Sequence, residues 1–320
     1  MSTVLITDST LGEGVEEQVL EQAGHTVVRA ACRTQADVAA AASAADALIV
    51  QWAPVTGAVL DAAPRVRFVS RLGIGYDMID VAAATMRGVA VANTRDYCVE
   101  EVAAHTVGMA LALLRGLPAL DAAVRAGEWD AAEAVPAASR PSDTTVAVIG
   151  LGRIGHRVAA GMAALGFRVI AHDPYLEDGG GVELVPFERA LVEADLVTLH
   201  VPLDAATRGL IDAEAIARMK PGAYLVNTCR GGLVDEDVLA AALRSRRLAG
   251  AALDVFASEP LPESSPLRSL DGVLLSPHGA WYSRASMAEL PRLCAQQVAD
   301  FLAGRPVDAI VNPDYQLAVR

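Results

Sequence analysis

Three short segments in the second half of the chain end apolar runs in residue types that do acid–base and anion chemistry. Leu225-Val226-Asn227-Thr228-Cys229-Arg230-Gly231-Gly232 leads into an arginine, whose planar guanidinium can grip a carboxylate through two parallel hydrogen bonds. Ala251-Ala252-Leu253-Asp254-Val255-Phe256-Ala257-Ser258-Glu259-Pro260 ends in two acids. Leu274-Leu275-Ser276-Pro277-His278-Gly279-Ala280-Trp281-Tyr282 ends in an imidazole, the side chain whose ordinary pKa lies near neutrality. Taken singly, each has a bland reading: a surface Arg in a turn, a helix cap with a solvated acid, a structural histidine. Their joint order is the informative feature. Arg, acid and His close successive strand candidates, and in an open parallel sheet the ends of the strands are where ligands bind.

A fourth segment supplies the context. Thr145-Val146-Ala147-Val148-Ile149 runs directly into Gly150-Leu151-Gly152-Arg153-Ile154-Gly155. A lone GxGxxG is weak, but this one follows an apolar strand. It opens a helix with Ile154, Val158, Met162 and Leu165 at helical spacing, and it is followed by a second strand ending in Asp173. Gly150 permits the tight turn, Gly152 lets backbone approach a pyrophosphate, and Gly155 lets helix and strand pack closely. Free N–H groups at the helix start attract phosphate. Asp173 is placed to accept hydrogen bonds from ribose hydroxyls. It would repel a 2′-phosphate, and Pro174-Tyr175-Leu176 after it brings no Arg, so NAD is expected over NADP.

The elements that must position these residues are legible from periodicity. Strands are expected at Val4–Ile6, His25–Val28, Ala47–Val50, Val66–Ser70 and Val89–Val91, with helices near 11–22, 35–44, 56–62 and 77–87. Asp77 and Asp80 would start the last of these. One or two long helices follow from Val99, broken near Gly116-Leu117-Pro118. The loop from Trp129 to Asp143, containing Pro136 and Pro141, is the best local signal for a domain junction. A second, six-stranded parallel sheet is expected from Thr145–Ile149, Arg168–Ala171, Leu196–His200, Ala223–Val226, Gly250–Leu253 and Val273–Leu275, then a helix over Arg284–Leu302 and an extended tail. The fold class is therefore α/β, with two parallel-sheet domains.

Composition agrees. The chain has 320 residues, 53% of them apolar and 20% charged, with aromatics at 4%. Two domains fit that length. The net charge of −13 repels phosphate backbones, so no nucleic-acid partner is expected. Cys32, Cys98, Cys229 and Cys294 match no metal spacing, and no metal site is expected. The N-terminus lacks a basic n-region. The most apolar stretch, Val107–Leu114, is too short to span a bilayer, so no membrane partner and a cytoplasmic location are expected.

On these motifs the sequence resembles the D-isomer-specific 2-hydroxyacid dehydrogenase family. Gly150–Gly155, Asn227-Thr228-Cys229-Arg230-Gly231-Gly232-Leu233-Val234-Asp235, Leu253–Pro260 and Pro277-His278 match its signatures in order and spacing, and Arg71-Leu72-Gly73-Ile74-Gly75-Tyr76-Asp77 looks like its substrate loop. His278-Gly279-Ala280-Trp281-Tyr282-Ser283 with Asp173-Pro174-Tyr175 further resembles the branch containing the C-terminal-binding-protein corepressors. The resemblance implies two Rossmann-like/flavodoxin-like domains with an active-site cleft between them. Residues 1–98 and 294–320 would form the substrate domain and 99–293 the NAD-binding domain. His278 would be the general acid/base, Glu259 would hydrogen-bond its imidazole, and Arg230 would bind the carboxylate and polarise the carbonyl. Arg71 and the Gly73 and Ile74 amides would hold the carboxylate. Asp254 would meet the nicotinamide amide, and Arg153, Ile154, Thr106, Pro202, Thr228 and Cys229 would line the cofactor site. A homodimer built through the nucleotide domain is also implied.

Three residues depart from the family pattern: Met78, Ala147 and Cys229. Cys229 beside Arg230 raises the idea that thiol modification would block the cofactor site. Trp281 could wall the pocket against an apolar or thioether side chain of a 2-oxo or 2-hydroxy acid substrate, or could cover a domain interface. The leading expectation is an NAD-dependent oxidoreductase acting on such acids. The alternatives are a dehydrogenase of another small anion (phosphite, formate or a phosphonate-bearing oxo acid) and an NADH-sensing interaction protein. Retention of Arg230, Glu259 and His278 favours the enzyme, as does the lack of an evident extra regulatory segment.

Overall fold

The computed structural model describes residues 1–11, 14–135 and 139–319. They form two compact units, Met1–Cys98 with Tyr282–Arg320, and Val99–Trp281. The division falls at Cys98/Val99 and not in the 129–143 loop. That loop instead holds a short helix, Ala131–Ala134, and its Pro136 lies outside the described residues. The second crossing falls at Trp281/Tyr282, ahead of position 294. Cys294 sits in the middle of the 19-residue helix Arg284–Leu302, which packs as one body in the first unit.

The first unit is built on five parallel strands: β1 (Thr3–Ile6), β2 (Thr26–Arg29), β3 (Ala47–Val50), β4 (Phe68–Arg71) and β5 (Ala90–Asn93), in the order β2-β1-β3-β4-β5. The strands β3, β4 and β5 are buried throughout, as a parallel sheet covered on both faces requires. Leu5, Leu48, Val50, Val69 and Val91 pack into one cluster. Phe68, on the opposite pleat, stacks on Phe301 of the helix Arg284–Leu302 with ring centroids 4.4 Å apart. The C-terminal tail is tied in by Asn312. Its Oδ1 accepts the Val91 N–H at 2.8 Å, and its amide donates to Val89 O and Thr85 Oγ1. The helix Val81–Met86 starts at Asp80, whose carboxylate caps Ala83 N–H at 2.9 Å.

The second unit holds seven parallel strands, one more than expected: β6 (Thr145–Ile149), β7 (Arg168–His172), β8 (Glu183–Leu184), β9 (Leu196–Leu199), β10 (Ala223–Asn227), β11 (Leu248–Leu253) and β12 (Val273–Leu275). Their order is β12-β11-β10-β9-β6-β7-β8. The extra strand is β8, a two-residue edge pairing with β7, too short to leave a periodic signal. Alternate residues of the strands enter two separate cores. Ala147, Ile149, Val197, Leu225 and Leu253 join one, and Val146, Val148, Val226 and Ala252 the other. Helix Val99–Leu114 ends before Gly116, which has φ 60°, and Leu117–Arg125 continues beyond it. Among the described residues no single helix is long and apolar enough to cross a membrane.

Candidate active site

Three adjacent strands of the second sheet, β10, β11 and β12, deliver the chemical residues at their C-terminal ends. Beyond β10, Asn227 folds the chain back on itself. Its Oδ1 accepts Cys229 N–H at 3.0 Å and its Nδ2 donates to Arg230 O at 2.8 Å. Arg230 Nη1 donates to Cys229 O at 2.8 Å. Gly231 then lies against the chain beyond β11. A Cβ on it would sit 1.8 Å from Phe256 C and 2.3 Å from Ala257 N, so only glycine allows this approach.

The acid of this neighbouring segment is Glu259, and it meets the imidazole. His278 Nδ1 and Glu259 Oε2 are 2.7 Å apart, and Glu259 Oε1 accepts Phe256 N–H at 3.0 Å. Burial pushes the Glu259 carboxyl up. The hydrogen bond and charge of His278 act against this, with help from the Phe256 amide and the Arg230 charge, and hold it below the usual carboxylate range. His278 itself has φ 51°, a left-handed backbone conformation that costs a β-carbon residue roughly 1–3 kcal/mol. Its N–H donates to Asp254 O at 2.7 Å and to Ser276 O at 3.1 Å.

Asp254 lies at the centre of this turn and is fully buried. Its Oδ1 accepts Ser276 Oγ–H at 2.5 Å and Gly279 N–H at 2.8 Å, and its Oδ2 accepts Ala280 N–H at 2.9 Å. A carboxylate has about four acceptor sites, so three are engaged within the protein. The structure thus gives Asp254 a local task, fixing residues 278–280, with one acceptor site to spare. Thr106 also has a local task. It is fully buried, and its hydroxyl donates to Val102 O at 2.7 Å while pairing with Thr228 Oγ1 at 2.8 Å. The Thr106 hydroxyl is engaged within the protein and braces the end of β10. Trp281 is half-buried, three residues past His278.

The Cys229 thiol donates to Leu199 O at 2.9 Å, and burial pushes it up to about 12. A thiol held protonated is a poor nucleophile, which weighs against the modification idea. His105, which reads from sequence as structural or exposed, lies 3.2 Å by Nε2 from Ser276 Oγ. Its one sequence signal is its place beside Thr106 on the same helix.

The dinucleotide cradle is assembled at the end of β6. Gly150 has φ 92°, and a Cβ there would lie 2.5 Å from His200 O. A Cβ on Gly155 would lie 2.1 Å from Gly150 O, whereas one on Gly152 would meet nothing within 4 Å. The third glycine position therefore packs helix on strand, and the second leaves open space for a pyrophosphate. Gly152 starts the helix Arg153–Ala164 without a side-chain cap, and Arg153 and Ile154 occupy its first turn. Asp173 stands just past β7, its two oxygens accepting Leu151 N–H at 2.9 Å and Tyr175 N–H at 3.0 Å. Lone pairs remain on both oxygens for ribose hydroxyls. Pro202 lies exposed past β9, its carbonyl accepting the Thr207 hydroxyl at 2.6 Å. These residues fit a dinucleotide.

In the first unit, the loop after β4 is held through its backbone. Arg71 O accepts Thr94 Oγ1–H at 3.1 Å and Gly73 N–H at 2.9 Å, Gly73 O accepts Thr94 N–H at 3.0 Å, and Ile74 O accepts Asn93 Nδ2–H at 2.6 Å. The buried Arg71 guanidinium lies 5.0 Å from the Trp52 ring centroid. A Cβ on Gly73, at φ 137°, would fall 1.5 Å from Arg71 Nη1. Gly73 thus makes room for the guanidinium, and its amide is engaged inside the loop.

Comparison with known proteins agrees with this construction. The family model for the D-isomer specific 2-hydroxyacid dehydrogenase NAD-binding domain matches residues 107–280. The chain is 43% identical over 284 residues to a D-3-phosphoglycerate dehydrogenase of Mycobacterium leprae, covering 86% of this chain and 52% of that protein. It is 38% identical over 268 residues to a glyoxylate reductase of Korarchaeum cryptofilum, covering 82% and 80%. A D-lactate dehydrogenase structure from Aquifex aeolicus, complexed with NAD and lactic acid, superposes with a TM-score of 0.86 at 27% identity, covering 97% and 99%. The fold and the glycine cradle define an NAD-binding α/β protein. The chain belongs to the D-isomer specific 2-hydroxyacid dehydrogenase family. It spans about half the length of the D-3-phosphoglycerate dehydrogenases it matches.

Proposed function

We propose that this protein interconverts a 2-oxo acid and a D-2-hydroxy acid with NAD as cofactor. The observation that carries the reading is the 2.7 Å bond between His278 Nδ1 and Glu259 Oε2, on segments that follow the strand-end Arg230. With Nδ1 directed to the carboxylate, Nε2 is the nitrogen that exchanges a proton with substrate. The bound dinucleotide supplies the hydride. In reduction, His278 protonates the carbonyl oxygen from Nε2, and Glu259 stabilises the imidazolium it starts from. In oxidation, the neutral imidazole takes the proton back. Arg230 binds the carboxylate and polarises the carbonyl. Arg71 and the Ile74 amide add carboxylate contacts. Gly73 serves by leaving space.

For the substrate side chain we assign an apolar or thioether group, with Trp281 as its wall. The test is NADH oxidation with glyoxylate, pyruvate, hydroxypyruvate, 3-phosphohydroxypyruvate, phenylpyruvate and 4-methylthio-2-oxobutyrate. The last two should give the highest kcat/KM. A preference for the phosphorylated acid would overturn the side-chain assignment. Tight NADH binding with no turnover on any acid would overturn the enzyme reading in favour of a dinucleotide sensor. NADPH supporting turnover as well as NADH would overturn the role given to Asp173.

We also assign a homodimer and a cytoplasmic setting. Helix Leu117–Arg125 buries none of its residues, and Leu117, Val124 and Trp129 are exposed, as a face awaiting a second copy would be. Sedimentation velocity of the parent and Trp129→Glu reads this directly. All four cysteines are unpaired thiols, which suits a reducing compartment.

A further inference from the structure

We infer that His105, on the helix Val99–Leu114, is a positioning residue for His278, acting through Ser276 and Asp254. The inference rests on the acid–base role proposed for His278. The Ser276 hydroxyl has one proton, and at 2.5 Å it goes to Asp254 Oδ1. Ser276 Oγ is therefore the acceptor in its 3.2 Å contact with His105, and His105 Nε2 carries the hydrogen. The chain of donors runs one way, from His105 Nε2–H to Ser276 Oγ–H to the carboxylate. Nε2 also stands 3.9 Å from Oδ1.

At the far end of this chain is a strained turn. Asp254 is buried, and its two oxygens and its own carbonyl hold the N–H groups of Gly279, Ala280 and His278. Those three bonds keep His278 in its left-handed conformation, from which Nδ1 reaches Glu259. Rotation of the carboxylate would release the Gly279 and Ala280 amides together. His278 would then relax toward ordinary backbone angles and its imidazole would leave Glu259. Ser276, itself anchored by His105, is what opposes that rotation. The next residue on the helix does the same at the end of β10, where Thr106 holds Thr228 at 2.8 Å, two residues before Arg230. Adjacent positions of one helix thus set both the imidazole turn and the arginine turn.

The test uses the full chain with His105→Leu, His105→Gln and Ser276→Ala. Glutamine keeps an N–H near the place of Nε2, and Ser276→Ala removes a single oxygen from a strand end. His105→Leu and Ser276→Ala should each lower kcat by about 10- to 100-fold, the scale of a small misplacement of a reacting group. NADH affinity, read by fluorescence, should stay within about twofold, since neither His105 nor Ser276 is assigned a cofactor contact. His105→Gln should recover most of the loss, and the double variant should be no worse than the poorer single. Independently of turnover, the His278 imidazole titration followed by NMR should move in His105→Leu and Ser276→Ala and return in His105→Gln. Parent-like kcat and titration in both His105→Leu and Ser276→Ala would overturn the inference. So would a His105→Gln variant as impaired as His105→Leu. Turnover by His278→Ala would sink the acid–base reading instead, while the titration still decides the link to His105.

Discussion

The two parallel sheets end in different kinds of construction. Past β10, β11 and β12 the seven-stranded sheet presents side-chain chemistry: a guanidinium, a carboxylate and an imidazole, the last two joined at 2.7 Å. Past β4 the five-stranded sheet presents a loop whose carbonyls are pinned by Thr94 and Asn93, with one arginine seated over a glycine. The first region depends on which functional group stands where. The second depends on where there is no Cβ. The same parallel architecture therefore yields one region that chemistry-preserving substitutions should spare and another that they should not.

The widest break in this comparison should come from His278→Ala. We expect kcat to fall by roughly 10²–10⁴-fold with NADH affinity kept, because only the proton transfer is removed. Steady-state turnover and NADH fluorescence titration measure the two sides. Retained kcat would mean that another group carries the proton.

Gly73→Ala probes the other region. Its Cβ would overlap the Arg71 guanidinium, so Arg71 must move. We expect KM for the 2-oxo acid to rise by about 10-fold or more with a smaller change in kcat, the pattern of lost binding common to ground and transition states. A large kcat loss at constant KM would erase the distinction between the two regions.

Glu259→Gln sharpens the comparison through pH. The Glu259 carboxyl is held below its unfolded value. Its interactions stabilise the fold above that unfolded value, near about 4.3, and the gain disappears as pH falls through the lower folded value. The Tm gap between parent and Glu259→Gln should be widest at neutral pH and close on acidification. A gap independent of pH would show that the carboxylate charge contributes nothing. The smallest effect belongs to Cys229. With its thiol pushed up to about 12, brief iodoacetamide treatment near pH 7.5 should leave both Cys229 and NADH oxidation unchanged. Rapid labelling, read by mass spectrometry, would contradict a thiol held in the S–H···O bond to Leu199.

Much of this was legible without coordinates. The strand candidates at Thr145–Ile149 and Ala223–Val226 lie on β6 and β10, because buried parallel strands are continuous apolar runs bounded by turn residues, and Val273–Leu275 coincides with the half-buried edge strand β12. The edge strand β8 was hidden because two residues have no period. The second unit boundary was misplaced because no turn signal marks Trp281/Tyr282, where a chain crossing is decided by long-range packing of the helix Arg284–Leu302 on β4. Arg230, Glu259 and His278 stood out because strand-end placement and residue type are local properties. The local bonds of Asp254 and Thr106 did not, because each is made to a residue at another strand end: Ser276 and Ala280 past β12, and Thr228 past β10. Gly73 did not either, because the group it makes room for is the Arg71 side chain, and residue type alone does not say that this folds back over its own loop.

The sequence by itself determined the class of chemistry. The glycine fingerprint with Asp173, and the ordered Arg, acid and His, are requirements written in residue type and spacing, and periodicity placed them at strand ends. Only the tertiary structure decided which groups are engaged with one another. A hydrogen bond depends on distance and on how many protons and lone pairs each partner has left, and for Ser276 and His105 those are fixed by segments 171 residues apart that meet only once the sheet has formed.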